Sequence, residues 1–549
     1  MQEVYLLQFE FAVTQEVSGL HFYQGVYWSA ILREFLRKYI PPQFEQWDFL
    51  DKMAIVPLAV SKGIKAYAVG DSIYFNLILP TEHREVLLNA MRNIITNKYH
   101  DLSFPAHSRF FPGKNVRLNG IKCLLSNESK PENWKPLTSS YLAQETETIK
   151  KHKELTLVFF SPLRMSRPGK TKDRPWMDPT YWDSRFLIQH LSESLAAGIP
   201  DYEIDQVETL NRGLCWVDVY DGASPLAGMC GAVQLRLPAS ERLCRLLVEG
   251  QYTGMGKNRS LGLGFYYLAE SRHNPLLKLP DNALTLLHKA ADKELLGRLL
   301  ENLDSDSTGP DQLSAADLKL NAEGYLNVLQ QCIAAGTYIP GATKKVCLHS
   351  PEGKERWIEI RNIRERHLLQ AIASTLYDAI DEQIPYSVYA YRKGKGYLDA
   401  VQAVQNGFGK GFLSAIVSDI AAYFDSIDTE ILRLQLLGLF GPDPILNIIN
   451  IVVKLREQGI EQGNPLSPLL SNIHLLPLDR ELGRTGRHYV RYADDFVLMD
   501  KGQADADKLL LLITKTLALL NLQLSTDKTT IFSKENEITF LGCRIGRGH

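Results

Sequence analysis

The chain has 549 residues, 45% of them apolar, and a formal net charge of −2. That length suits two to four domains with real cores, and the near-neutral balance excludes a uniformly basic nucleic-acid-coating protein, so any such surface has to be local. Seven cysteines without a Cys-x-x-Cys pair or a histidine at zinc spacing read as buried thiols of a reducing cytoplasm, and no secretion signal or membrane span is seen, the apolar stretch 509–524 being broken by Lys515 and Asn521.

Residues 4–13 have the alternation of a strand, and 25–39 has helical spacing with Arg33, Arg37 and Lys38 on one side and Pro41-Pro42 closing it. Strand-like runs follow at 54–60, 66–69 and 72–79, then a helix over 82–98 and a strand over 117–125. Two prolines mark 130–136 as a connector. A similar order then begins again: strand 154–160, helix 179–197, strands 214–220 and 232–237, helix 240–249. The expected fold class is α+β and multidomain, opening with a tandem ferredoxin-like (RRM-like) module whose halves span 1–140 and 141–275.

Gly254, Gly256, Gly262 and Gly264 surround Lys257 and Arg259. Glycines let backbone approach phosphates and the cations would neutralise them; the Walker pattern is absent, so a nucleotide-hydrolysing loop is not expected. This stretch resembles the glycine-rich loop of the CRISPR repeat-processing endoribonucleases, and Phe160-Ser161-Pro162-Leu163-Arg164 and 228–237 resemble neighbouring pieces of that family, over roughly residues 1–272. The resemblance implies RNA binding by those six loop residues. It also implies metal-independent cleavage in which the RNA's own 2′-hydroxyl attacks and a histidine acts as base. His21, with Tyr23 and Tyr27 after it, is the candidate; His83, His100 and His107 are alternatives, and an ordinary surface or capping role is open for each.

Residues 281–303 and 314–335 have helical spacing around a polar break at 305–309, so 276–335 reads as a helical linker. A hairpin follows with its turn at 353–356, and 389–396 is a basic loop beside aromatics. The run 415–425 is a hydrophobic strand entering Asp419. Residues 489–499 read as strand, tight turn, strand, with Asp494 and Asp495 at the tip. Adjacent carboxylates repel unless a cation sits between them, and oxygen-only ligation points to Mg²⁺. Two strands bringing carboxylates to one sheet edge can hold two such ions.

Asp419 followed by Tyr423-Phe424-Asp425, the stretch 459–472, and Tyr492-Ala493-Asp494-Asp495 resemble, in order and spacing, three signatures of reverse transcriptases in the branch that includes group II intron enzymes. The resemblance implies catalytic and metal-binding roles for Asp419, Asp494 and Asp495, and a 336–549 domain of fingers and palm with the thumb missing. It implies Lys354, Arg356 and Arg366 on the incoming triphosphate, Lys344 and Lys345 on template backbone, and Phe424 beneath the sugar, favouring dNTPs. Gln462 and Gly463 would lie under the template–primer pair, Lys528 near the active site, and 540–542 in a hairpin supporting the primer. The two resemblances together match fusion proteins of type III CRISPR systems, in which a spacer integrase domain usually follows. The expected partners are template RNA, CRISPR repeat RNA, a DNA primer, dNTPs, and the integrase with its small companion subunit. A group II intron-like maturase or defence reverse transcriptase with a non-catalytic RNA-binding N-terminal module is the alternative, and a maturase implies a basic splicing region after the polymerase.

Overall fold

The computed structural model describes residues 3–29, 53–81, 85, 89, 101–102, 116–169, 175–220, 225–271, 273–337, 339–349, 355–454, 458–502, 506–532 and 537–546. The chain divides into two compact units, Met1–Leu286 with Leu434–Asp443, and Leu287–Arg433 with Pro444–His549. Among the described residues no helix is long and apolar enough to cross a membrane.

In the first unit, β1 (Val4–Val13), β2 (Ala54–Pro57), β3 (Ser72–Pro80), β4 (Asp101–Leu102) and β5 (Val116–Cys123) form an antiparallel sheet in the order β2-β3-β1-β5-β4. The strand expected over 66–69 is reduced to a single bridge between Tyr67 and Val17. Gly63 and Gly70, both at positive φ, turn the chain on either side of it. Residues 25–29 of the expected first helix are helical; the rest of it, most of 82–98, and His83, His100 and His107 lie outside the described residues. A helix the sequence reading missed, Ser139–Ile149, starts at a Thr138 cap. Its buried face carries Glu145 and Thr146 beside Leu142 and Ile149, so apolar periodicity alone could not reveal it.

The second half runs in βαββαβ order. β6 (Glu154–Leu163), β7 (Glu208–Tyr220), β8 (Pro225–Arg236) and β9 (Tyr267–Leu268) pair antiparallel as β7-β8-β6-β9, with helices Ser184–Ser194 and Glu241–Thr253 between them in sequence. This is the ferredoxin-like arrangement. Asp183 and Ser240 cap the two helices by accepting from first-turn backbone N–H groups.

In the second unit the expected long helices are shorter pieces, Lys293–Glu301, Ala315–Leu320 and Ala322–Ala334. The first and third of these are joined to helix Ile363–Ile380 through buried His367, whose Nε2 meets Leu296 O at 2.9 Å and whose Nδ1 meets the Tyr325 hydroxyl at 2.9 Å. The finger hairpin is β10 (Lys344–His349) with β11 (Glu355–Ile360). β12 (Ser414–Ser418), β13 (His488–Tyr492), β14 (Asp495–Asp500) and β15 (Thr530–Phe532) make the palm sheet in the order β13-β14-β12-β15. The last hairpin, β16 (Glu537–Phe540) with β17 (Cys543–Gly546), adds Ile538, Phe540 and Ile545 to a core shared with Val404, Val490, Val497 and Met499.

Candidate active site

Antiparallel pairing sets Val417 opposite Val497 and Ser418 opposite Phe496. One more step in that register places Asp419 across from Asp495. Tyr492 pairs with Asp495, which leaves Ala493 and Asp494 as the turn between β13 and β14. Sheet register therefore delivers all three carboxylates to one edge.

The turn is built on an unusual backbone. Ala493 has φ 56°, a region that strains L side chains. Its carbonyl accepts from Arg491 Nη1 at 2.8 Å. Arg491 is fully buried, and its Nε and Nη2 each donate to Asp479 at 2.6 Å. The Tyr489 hydroxyl donates to the same carboxylate at 2.9 Å. Such a bidentate pair fixes orientation as well as charge, so a buried ion pair holds the acidic turn in place.

Electrostatics at the tip are unbalanced. Burial, then the charges of Asp494 and Asp419, push the Asp495 carboxyl up to about 6, with Lys528 acting in the opposite sense. Lys528 donates to Asp419 Oδ2, and this contact in turn holds the ammonium above its ordinary range. Among the described residues, the cluster of three ligating side chains whose atoms all lie within 4.8 Å of one another is Cys347, His349 and Glu355; the aspartates stand wider apart. One oxygen of Asp419 is engaged by Lys528. A two-ion site also spans more than one chelate, its ions being about 3.5–4 Å apart.

The remaining polymerase candidates fall into different settings. Glu359 N–H donates to Gln462 O at 2.9 Å, and a Cβ on Gly463 (φ 98°) would come within 2.8 Å of Glu359 O. That segment is locked by Arg361, buried, whose Nε donates to Glu461 Oε2 at 2.9 Å and whose Nη1 reaches Glu365 at 3.3 Å. Phe424 is half-buried and packs edge-on against Tyr423, whose hydroxyl donates to Ser471 O. Arg366 is engaged elsewhere: it donates to Ser307 Oγ at 2.7 Å and Thr308 O at 2.8 Å, tying the 305–309 break to its helix. Arg356 pairs across the hairpin with Leu348, and Lys354 lies outside the described residues.

In the first unit the glycine-rich loop has positive φ at Gly254, Gly256, Gly262 and Gly264. Its close approaches are to the protein itself. A Cβ at Gly264 would lie 1.9 Å from Met255 O, at Gly256 2.5 Å from Arg164 O, and at Gly262 2.3 Å from Ile55 O. Gly264 N–H donates to Pro162 O at 3.0 Å and Lys257 N–H to Arg164 O at 2.8 Å. The glycines thus let the loop fold onto the end of β6. Lys257 and Arg259 are exposed, and the Lys257 ammonium and Arg164 guanidinium lie 5.3 and 4.3 Å from the Trp176 ring centre. The Tyr23 hydroxyl donates to Gly262 O and Ser29 Oγ to Ser260 O, so the segment after His21 is fastened to this loop. His21 itself is half-buried and stacks with Tyr27, ring centres 6.3 Å apart.

Residues 343–545 match the family described as reverse transcriptase (RNA-dependent DNA polymerase), and residues 157–266 match the CRISPR-associated endoribonuclease Cas6. The chain joins a Cas6 endoribonuclease domain to a reverse transcriptase domain. Protein YkfC of Escherichia coli (strain K12) is 24% identical over 298 residues, covering 45% of this chain and 78% of that protein. A chain of the partial Cas6-RT-Cas1–Cas2 complex superposes with a TM-score of 0.63 at 21% identity, over 94% of this chain and 91% of its own length. A chain of the Cas6-RT-Cas1–Cas2 complex gives the same TM-score and identity, with 57% of its length covered. These structures share the fold of nearly the whole chain.

Within the reverse transcriptase domain the donor set suits a divalent cation. Three carboxylates supply oxygen ligands only, and the upward shift of Asp495 comes from burial first and from the charges of Asp494 and Asp419 second, both of which a bound dication would offset. Sequence reasoning missed Arg361, Glu461, Asp479 and Arg491. An arginine in the middle of the β13 strand pattern was the available signal for the last pair.

Proposed function

We propose that the reverse transcriptase domain synthesises DNA on an RNA template, with Asp419, Asp494 and Asp495 as ligands of two Mg²⁺ ions, and that the Cas6 domain binds and cuts CRISPR repeat RNA. Bound there, the ions would activate the primer 3′-hydroxyl and neutralise the α-phosphate and departing pyrophosphate oxygens. The chain's own part is to hold the carboxylates on one edge through the β12–β14 register and the Arg491–Asp479 pair, and to place Lys528 beside them. Phe424 would sit beneath the deoxyribose, Gln462 under the nascent base pair, and Lys354, Arg356 and Arg366 toward the triphosphate, Arg366 only if released from Ser307 and Thr308. In the Cas6 domain, His21 would take the 2′-hydroxyl proton while the 5′-oxygen leaves, with Lys257 and Arg259 holding RNA against the loop formed by Gly254, Gly256, Gly262 and Gly264. The two activities would serve, in the cytoplasm, CRISPR RNA maturation and the acquisition of spacers from RNA, with an integrase and its small companion as partners; the likeness to chains solved with Cas1 and Cas2 supports this.

The observation that carries the polymerase reading is the register that sets Asp419 across from Asp495 beside Asp494. Primer extension on an RNA template is expected to vanish in the double variant Asp494→Ala, Asp495→Ala while repeat-RNA binding is unchanged; DNA synthesis by that variant would refute it. Repeat RNA in EDTA tests the other half: cleavage by the wild type, lost in His21→Ala with binding retained, supports the nuclease. Binding without cleavage by the wild type leaves a scaffold.

A further inference from the structure

A second set of ligand atoms gathers on the finger hairpin. Cys347 and His349 are two residues apart on β10, so both side chains stand on the same face. Glu355 is the cross-strand partner of His349 on β11. Cys347 Sγ is 4.0 Å from His349 Nε2, and His349 Nε2 is 3.4 Å from Glu355 Oε1. All three ligand atoms lie within 4.8 Å of one another. In a tetrahedral site with bonds of about 2.0–2.3 Å, ligand atoms sit roughly 3.3–3.7 Å apart, so side-chain rotation by about an ångström closes this trio around an ion.

We propose that Cys347, His349 and Glu355 form a binding site for a borderline transition-metal dication, Zn²⁺ foremost, with the fourth position open to water. Donor chemistry sets the choice: a thiolate and an imidazole select against Mg²⁺ and Ca²⁺, whereas the carboxylates of the palm sheet suit hard cations. On binding, the Cys347 S–H proton passes to solvent as the metal–sulfur bond forms. The His349–Glu355 contact is exposed, and as a bare surface ion pair it would contribute little. A metal bridging β10 and β11 would instead tie together a two-stranded hairpin, an element that is marginal in isolation. The general spacing rules for zinc ligands overlook the trio because its third member comes from the facing strand.

The test is titration of the full chain with Co²⁺ in saturating Mg²⁺, following the thiolate-to-cobalt charge-transfer band. One equivalent is expected to bind, to be displaced by one equivalent of Zn²⁺, and to be lost in both Cys347→Ser and His349→Ala. The band should persist in Cys332→Ser and Cys543→Ser, which alter the other partly exposed thiols. No band in the wild type, or a band that survives Cys347→Ser, overturns the site. Primer extension by Cys347→Ser at wild-type temperature shows that the variant folds, so loss of the band then counts for the site.

Discussion

In the palm sheet the left-handed backbone position at the acidic turn is occupied by an alanine, Ala493, and a buried arginine bonded to its carbonyl holds it there. In the loop of the Cas6 domain the same backbone region is occupied by Gly254, Gly256, Gly262 and Gly264, and main chain packs on main chain with no space for a Cβ at three of them. The acidic turn has room for side chains and needs its charges aimed, so side-chain electrostatics fix it. The loop needs closeness, so residue size fixes it.

The largest blow to this contrast should come from Arg491→Ala. It leaves Asp479 charged and unpaired in the interior, at a cost of about 3–5 kcal/mol, and frees the turn; thermal unfolding of the second unit should fall steeply and primer extension should disappear. Wild-type melting would show that the turn does not depend on the pair. Gly264→Ala should cost about 2–4 kcal/mol, combining left-handed strain with overpacking against Met255 O. Its mark is loss of repeat-RNA binding with DNA synthesis retained.

Asp495→Asn should act in the other direction. Because the carboxyl is held near 6 in the folded chain, the native state keeps a proton that the unfolded chain has released between about pH 4 and 6. Stability falls as pH rises through that window, and the penalty is complete above it. Removing the charge should therefore stabilise by about 1–2 kcal/mol at pH 8 without divalent ions, after allowance for the partial exposure of the group, and by almost nothing at pH 4, while abolishing polymerisation. A pH-independent gain would mean that packing, not charge, is responsible. Smallest should be Ala493→Gly: relief of strain is offset by the entropy of an unfolded glycine, for a net change under about 1 kcal/mol. A large loss would show that the methyl group itself packs the turn.

Much of this was legible in the chain. Asp419, Asp494 and Asp495 could be named because they lie in short signatures resembling those of reverse transcriptases, and the strands around them because apolar and β-branched residues flank the carboxylates. The Arg491–Asp479 pair was hidden for a physical reason: each member alone resembles a solvated charge, and only folding brings a strand and a helix end together. The helix Ser139–Ile149 was hidden by a polar buried face in which Glu145 accepts from Gln251 and Tyr252. Arg366 is the reverse case, a cation in a suggestive place whose contacts with Ser307 and Thr308 the sequence did not reveal.

Lys528 already lies against one oxygen of Asp419. A dication held by Asp419 would have to displace that ammonium, an exchange of one cation for another. Such competition would lower affinity for the ion, and meanwhile the ammonium offsets part of the negative charge shared by the three carboxylates.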